Sequence, residues 1–347
     1  MTYCCENNSG DISKFHYTPN DIRQAILHNK KLEKKLHMII CISNPCQYVR
    51  RFDLARRFIQ TIENNHKKDV LLYVVELAYG NDKFFVTNKR NKRHLQIRTE
   101  TSPLWHKENL LNIGVEKLLP KDWKCVAFVD SDIEFDNPHF ATDTLKLLNK
   151  TYDILQMNSH TLDLDLHKNP MSIFTSHSYQ LIHRRPYGKT GISYWHPGFN
   201  LAMTRKTYEK LGGLYQYSIL GSGDHNMMMS LIQKAELSVH SKASQGYKQS
   251  VLDYQTNCAG LRLGYTPGVI RHYFHGSKKN RKYVERWGTL VENQYDPKIH
   301  VKLDENGLII PTEQCPQKLL KDIMSYFCER NEDESVDEMV RIASTII

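Results

Sequence analysis

The strongest constraint on this chain is the alternation, over its first 130 residues, of short apolar runs with segments of helical spacing. Residues 36–45, LHMIICISNP, read as a buried strand closed by Asn44-Pro45, and residues 48–62, YVRRFDLARRFIQTI, carry apolar residues at helical intervals. VLLYVVELAYG (70–80) is a second buried strand, stopped by Gly80. LQIRTETS (95–102) is a short strand, KENLLNIGVEKLL (107–119) a helix ended by Pro120, and CVAFVD (125–130) a third long strand. Strands alternating with helices imply a mostly parallel sheet covered by helices, an α/β fold. In such sheets ligands bind outside the carboxyl ends of the strands.

The flanking segments differ in style. Residues 1–35 are polar, with a helical pattern from Pro19 to Leu36 carrying Ile22, Ile26 and Leu27, and read as a helical extension. Residues 36–290 form the α/β domain, with a first half over 36–135 and a second over 136–290. The second half mixes short strands and polar loops with a helix at RKTYEKLGGL (205–214) and another over 224–236, capped by Ser222 or Asp224. Residues 291–347 are a C-terminal extension in which ERNEDESVDEM (329–339) reads as an acidic surface helix or tail.

The longest apolar runs, such as Met38–Ile42, fall far short of the roughly 20 residues a membrane-spanning helix needs. The N-terminus lacks a basic segment followed by an apolar one, so a soluble, cytoplasmic protein without a transmembrane anchor is expected. Eight scattered cysteines, with no C-x-x-C pair, read as reduced thiols. A net charge of +9 favours an anionic partner: nucleic acid, anionic lipid or a nucleotide diphosphate.

The stretch AFVDSDIEF (127–135) ends a buried strand on two carboxylates, Asp130 and Asp132. In an extended chain such residues share one face, with Cα atoms on the order of 6–7 Å apart. A hard divalent cation, Mg²⁺ or Mn²⁺, removes their repulsion where phosphate completes its ligands. The plainer alternative has one Asp capping a turn and the other solvated. A third reading is a phosphohydrolase of the haloacid dehalogenase type with Asp130 as nucleophile, although Glu134 stands where such enzymes carry Thr or Val. The basic run Lys89–Arg98 offers a nucleic-acid surface, but no zinc-ligand spacing or aromatic RNA-binding signature accompanies it, so nucleic acid is an unlikely partner.

Four stretches in order resemble nucleotide-sugar-dependent glycosyltransferases of the GT-A fold, most closely the β-1,4-galactosyltransferase-like group and related enzymes of bacteria and large DNA viruses. They are WHKENLLNIG (105–114), VAFVDSDIEF (126–135), HPGFNLAMTRKTYEKLGGLYQYSILGSGDHNMM (196–228) and GVIRHYFHGSKKNRKY (268–283). The resemblance implies a Rossmann-like nucleotide-binding sheet and transfer of a sugar, with inversion, from a UDP-sugar to a hydroxyl of a glycan or glycoconjugate, using Mn²⁺ or Mg²⁺. It makes Asp132 a direct metal ligand and gives Asp130 the ribose or a metal-bound water. The third ligand is His272 or His275, with the following Gly276 favouring His275.

It also assigns donor contacts to Ser43, Asn44, Pro45, Glu76, Lys107, Asn112 and Ser131, and diphosphate contacts to Lys278, Lys279 and Arg281 on a closing loop. Asp224 becomes the catalytic base, within a Gly-Gly-Glu-Asp-like motif whose Glu is replaced here by Gly223. Trp195, His196, Gly198, Asn200, Gly223 and His225 would line the sugar or acceptor pocket. Solvated or capping roles stay open for Glu76, Asp224 and the basic loop.

Overall fold

In the computed structural model, residues 17–185, 194–283 and 285–334 are described. The apolar runs become the middle of a sheet. In chain order the strands are β1 (Leu36–Ser43), β2 (Val70–Tyr79), β3 (His94–Thr99), β4 (Cys125–Val129), β5 (Ile133–Phe135), β6 (Ile154–Gln156), β7 (His160–Leu164), β8 (Pro170–Ser176), β9 (Trp195–His196), β10 (Asn200–Thr204), β11 (Leu263–Tyr265), β12 (Val269–His272), β13 (Val301–Leu303) and β14 (Ile309–Pro311). The helices are α1 (Pro19–His28), α2 (Val49–Asn65), α3 (Lys107–Leu118), α4 (Phe140–Leu147), α5 (His177–Ile182), α6 (Arg205–Leu211), α7 (Gly223–Leu231), α8 (Gln245–Cys258), α9 (Arg286–Glu292), α10 (Pro297–His300) and α11 (Gln317–Glu329).

Seven strands form the main sheet in the order β11-β6-β10-β4-β1-β2-β3. All its pairings are parallel except those of β10 with β4 and β6. The fold is therefore mixed α/β, with a mostly parallel central sheet flanked by helices. Alternate residues of the central strands feed two cores: Ile39, Val126 and Phe128 face one layer, and Met38, Ile40, Ala127 and Val129 the other. From β1 the chain moves outward to β2 and β3, then returns to the far side of β1 as β4. The crevice between the carboxyl ends of β1 and β4 is the topological switch point where such sheets bind ligands.

A second sheet, β5-β12-β7-β8-β9, continues directly from that point. The chain leaves β4, passes Asp130-Ser131-Asp132 and enters β5. β12 pairs antiparallel with β5 and parallel with β7, in a register that sets His272 beside Ile133 on one side and Asp163 on the other. Long-range strand pairing, rather than any local motif, thus brings His272 and Asp163 to the end of β4.

Three expectations are corrected. The first helix stops at His28, because Asn29 takes an extended backbone and its amide side chain bonds Lys146, Asn149 and Thr151. The helix expected over 224–236 spans Gly223–Leu231 and is followed by a separate 3-10 turn at Ala235–Ser238. The described part of the acidic tail is not wholly a surface segment: Glu329 is exposed, but Glu332 is 1% exposed, drawn in by Arg51 and Arg330. Residues 335–339 of that tail, like Cys4 and Cys5, lie outside the described residues.

Candidate active site

One cleft at the switch point is lined by Ser43, Asn44 and Pro45 after β1, by Lys107 at the start of α3, and by Asp130, Ser131 and Asp132 after β4. His196, Asp224, His272, His275 and Arg281 are among those that line it from the second half of the chain. Two of its walls carry the chemistry.

On the first wall, Asp132 Oδ2 lies 3.0 Å from His275 Nε2, which lies 3.2 Å from His272 Nε2. Donor atoms of the three residues fall within 4.8 Å of one another, the spacing of a cation's ligands. Asp163, 1% exposed, is 2.6 Å from His272 Nδ1. That carboxylate accepts the Nδ1–H hydrogen bond and leaves the Nε2 lone pair on the side of His275, the outer-shell arrangement that orients metal-binding histidines. Burial lowers the pKa of His272 in spite of Asp163, which keeps the ring neutral and its lone pair available. Burial opposes ionisation of Asp163, but His272 and then Lys278 outweigh it and bring its pKa down to about 2. Asp132 Oδ1 is buried without a hydrogen-bond partner, an orphaned acceptor aimed into the site.

The residues present therefore fit a divalent cation. Two imidazoles beside one carboxylate suit a first-row transition ion better than Mg²⁺, which takes oxygen ligands. Arg281 competes for part of this place, since its Nη2 donates to His275 Nε2 at 2.9 Å. A cation bound there requires that guanidinium to turn away from the ring.

The second wall centres on Lys107. Its Nζ is 2.5 Å from Asp130 Oδ1. Burial pushes the Asp130 carboxyl up against the pull of Lys107, whereas Asp224, also resisted by burial, is held below the ordinary range by Lys107 and His196. The Asp224 Oδ1 accepts from the His225 backbone N–H at 2.8 Å. Its Oδ2 lies over Gly198, where an added Cβ would stand 2.3 Å away, so only glycine leaves room for this carboxylate. The next residue, Phe199, is held at φ +76°, a strained value for an aromatic side chain, and its carbonyl accepts from the Asp130 N–H at 2.7 Å. A third acid, Glu108, fills the space beneath Gly223: a Cβ there would stand 2.7 Å from Glu108 Oε1. Burial raises its pKa to about 7 against the opposing charge of Lys107.

Other expected site residues lie elsewhere. Glu76 is 2% exposed and holds the 85–87 loop, accepting from the N–H groups of Phe85, Val86 and Thr87 and from the Thr87 hydroxyl. Asn112 clamps Leu214 through both backbone groups. Asn200 bonds Met157 N and Asn158 from inside the core. Lys278 is tied to Asp163, and Lys279 is exposed. Trp195 packs against His177 and His225 beside the cleft, and the backbone of Gly223 starts α7.

Several site residues carried no usable sequence signal: Asp163, Glu108, and a strap at the end of α11. Tyr48 donates to the carbonyls of Phe327 and Cys328, at 2.9 and 2.6 Å. Asp333 accepts from the first N–H groups of α2, Val49 and Arg50, at 2.9 and 3.0 Å. Glu332 pairs with Arg51 and Arg330 and lies 3.8 Å from His275 Nδ1. The strap therefore closes one side of the cleft.

No protein family's sequence profile matches the chain, and no curated protein does. Among solved structures, a protein assigned as a nucleotide-diphospho-sugar transferase from Desulfovibrio desulfuricans aligns with a TM-score of 0.32 at 10% identity, covering 75% of this chain and 96% of its own. The glycosyltransferase GlyE of Streptococcus pneumoniae aligns with a TM-score of 0.28 at 12% identity, over 88% of this chain and 64% of its own. A protein assigned as a UDP-N-acetylglucosamine pyrophosphorylase from Entamoeba histolytica gives 0.25 at 9% identity, over 56% of this chain and 64% of its own. The chain thus spans less than two thirds of the length of the latter two. Likenesses this distant decide neither its fold nor its chemistry, which rest on the geometry above.

Proposed function

We propose that this chain is a metal-dependent glycosyltransferase that moves a sugar from a nucleotide diphosphate, UDP in the first instance, to an acceptor hydroxyl with inversion. The observation that carries the reading is the convergence of Asp132, His272 and His275 at the switch point, in the same cleft as a half-buried carboxylate, Asp224. Asp132 and the Nε2 atoms of His272 and His275 would hold Mn²⁺, which supplies Lewis-acid stabilisation of the departing diphosphate.

The chain's own groups divide the remaining work. Ser43, Asn44 and Pro45 border the donor side of the cleft, and Asp130 is fixed there by Lys107. Arg281 and Arg286 bring guanidinium donors suited to phosphate oxygens. Asp224, with Oδ1 fixed by His225 N–H, takes the acceptor's proton at Oδ2 as the hydroxyl attacks the anomeric carbon. Gly198 lets that oxygen reach its place.

The test is a panel of nucleotide sugars, assayed for hydrolysis and transfer with Mn²⁺ present or chelated. Metal-dependent cleavage of a UDP-sugar, abolished by Asp132→Ala, is expected, with the product's anomeric configuration opposite to the donor's. The same donor set also occurs in non-haem Fe(II) oxygenases. Oxygen uptake with Fe²⁺, or phosphate release from simple esters with Mg²⁺, in place of UDP-sugar cleavage would overturn the proposal.

A further inference from the structure

Two thiols from opposite ends of the chain meet at the rim of the cleft. Cys46 lies in the loop after β1 and lines the cleft, while Cys328 is exposed in the last turn of α11. Although 282 positions separate them, their Sγ atoms are 3.6 Å apart. The approach is fixed by backbone contacts. Tyr48, two residues after Cys46, bonds the carbonyls of Phe327 and Cys328 and accepts from Asn331 N–H at 3.1 Å, and Asp333 caps α2. A disulfide requires the two sulfurs to close to roughly 2.05 Å.

We propose that Cys46 and Cys328 form a redox-active dithiol whose disulfide fastens the C-terminal strap over the cleft. The oxidant is a low-molecular-weight disulfide, RSSR. The exposed Cys328 attacks one of its sulfurs, giving Cys328–S–S–R and releasing one RSH that carries away the Cys328 proton. Cys46 then attacks the Cys328 sulfur, the mixed disulfide breaks, and a second RSH leaves with the Cys46 proton. Two protein thiols are oxidised and one small disulfide is reduced to two thiols. The order follows from access: Cys328 is exposed, whereas Cys46 is half-buried. Once formed, the bond joins the end of α11 to the loop carrying Ser43, Asn44 and Pro45. Strap residues Arg330 to Asp333, with Glu332 beside Arg51 and His275, are then held in place.

The test treats the full chain with oxidised glutathione, blocks free thiols with N-ethylmaleimide and digests it without reduction. A linked peptide containing Cys46 and Cys328 is expected, reversed by dithiothreitol and absent from Cys328→Ser. Amide hydrogen exchange over 326–334 is expected to slow at least about tenfold on oxidation in the wild type and not in Cys328→Ser. A stable glutathione adduct on Cys328 without the linked peptide would overturn the dithiol. A linked peptide with unchanged strap exchange would overturn the fastening. Neither readout depends on whether the cleft transfers sugar.

Discussion

The two walls of the cleft treat half-buried acid in opposite ways. Asp132, His272 and His275 turn oxygen and nitrogen donors toward one point, and the Arg281 guanidinium reaches it by donating to His275 Nε2. Asp130, Asp224 and Glu108 instead gather around Lys107, a cation built into α3. Burying charge is costly unless it is paired. A bound cation would complete the first wall, whereas the second already holds its own cation, Lys107. The difference suits the first to hold a cation and the second to hold and move a proton.

Substitutions that break one wall should leave the other intact. The largest effect is expected from Asp132→Ala, which removes a donor outright. Mn²⁺ affinity should fall by more than the roughly 100-fold that loss of an outer-shell partner costs, measured by calorimetry, and turnover should vanish with it. Asp224→Asn is expected to reduce kcat by about 10²–10⁴-fold while Mn²⁺ affinity stays at the wild-type value. Equal loss of metal binding in both variants would erase the distinction between the walls.

Gly198→Ala sharpens the comparison, because its methyl group strikes the Asp224 carboxylate. A displacement of about 1 Å costs on the order of 10²-fold in rate, again with metal binding unchanged. Asp163→Asn touches no substrate, yet it should weaken Mn²⁺ binding by about 10–100-fold by freeing the His272 ring.

The smallest effect on turnover is expected from Glu108→Gln, whose signature is in stability. The pKa of Glu108 rises from 4.5 to about 7 in the folded chain, so folding favours the protonated acid. Its contribution is complete below pH 4.5 and is lost as pH rises through 7, by at most about 3 kcal/mol. Urea melts between pH 5 and 8 should show this decline in the wild type and a flatter curve in Glu108→Gln.

The legibility of the site follows from how locally it is encoded. Asp130 and Asp132 stand out because two acids just past a buried strand are a local property, but the turn at 131–132 sends them to different walls instead of the one face expected of an extended chain. His272 and His275 could be named but not separated, since the register between β12, β5 and β7 decides what each ring meets. Glu76 and Asn112 resemble ligands in a sequence, but the 85–87 loop and Leu214, both fixed by tertiary packing, consume their polar groups. Glu332 was hidden for a related reason: an acidic run normally marks a solvated surface, and here Arg51, from the first quarter of the chain, draws one member inside. The parallel core was legible because strands buried on both faces are continuous apolar runs.

The central claim is that Asp132, three residues beyond the end of β4, shares a cation with His272 and His275. Crystals grown with Mn²⁺ and UDP and measured at the manganese edge test it most directly. The account requires an anomalous peak bonded to Asp132, His272 and His275, with the diphosphate on its open side. A peak bound elsewhere, or UDP seated in the cleft with no metal at these three residues, would contradict it.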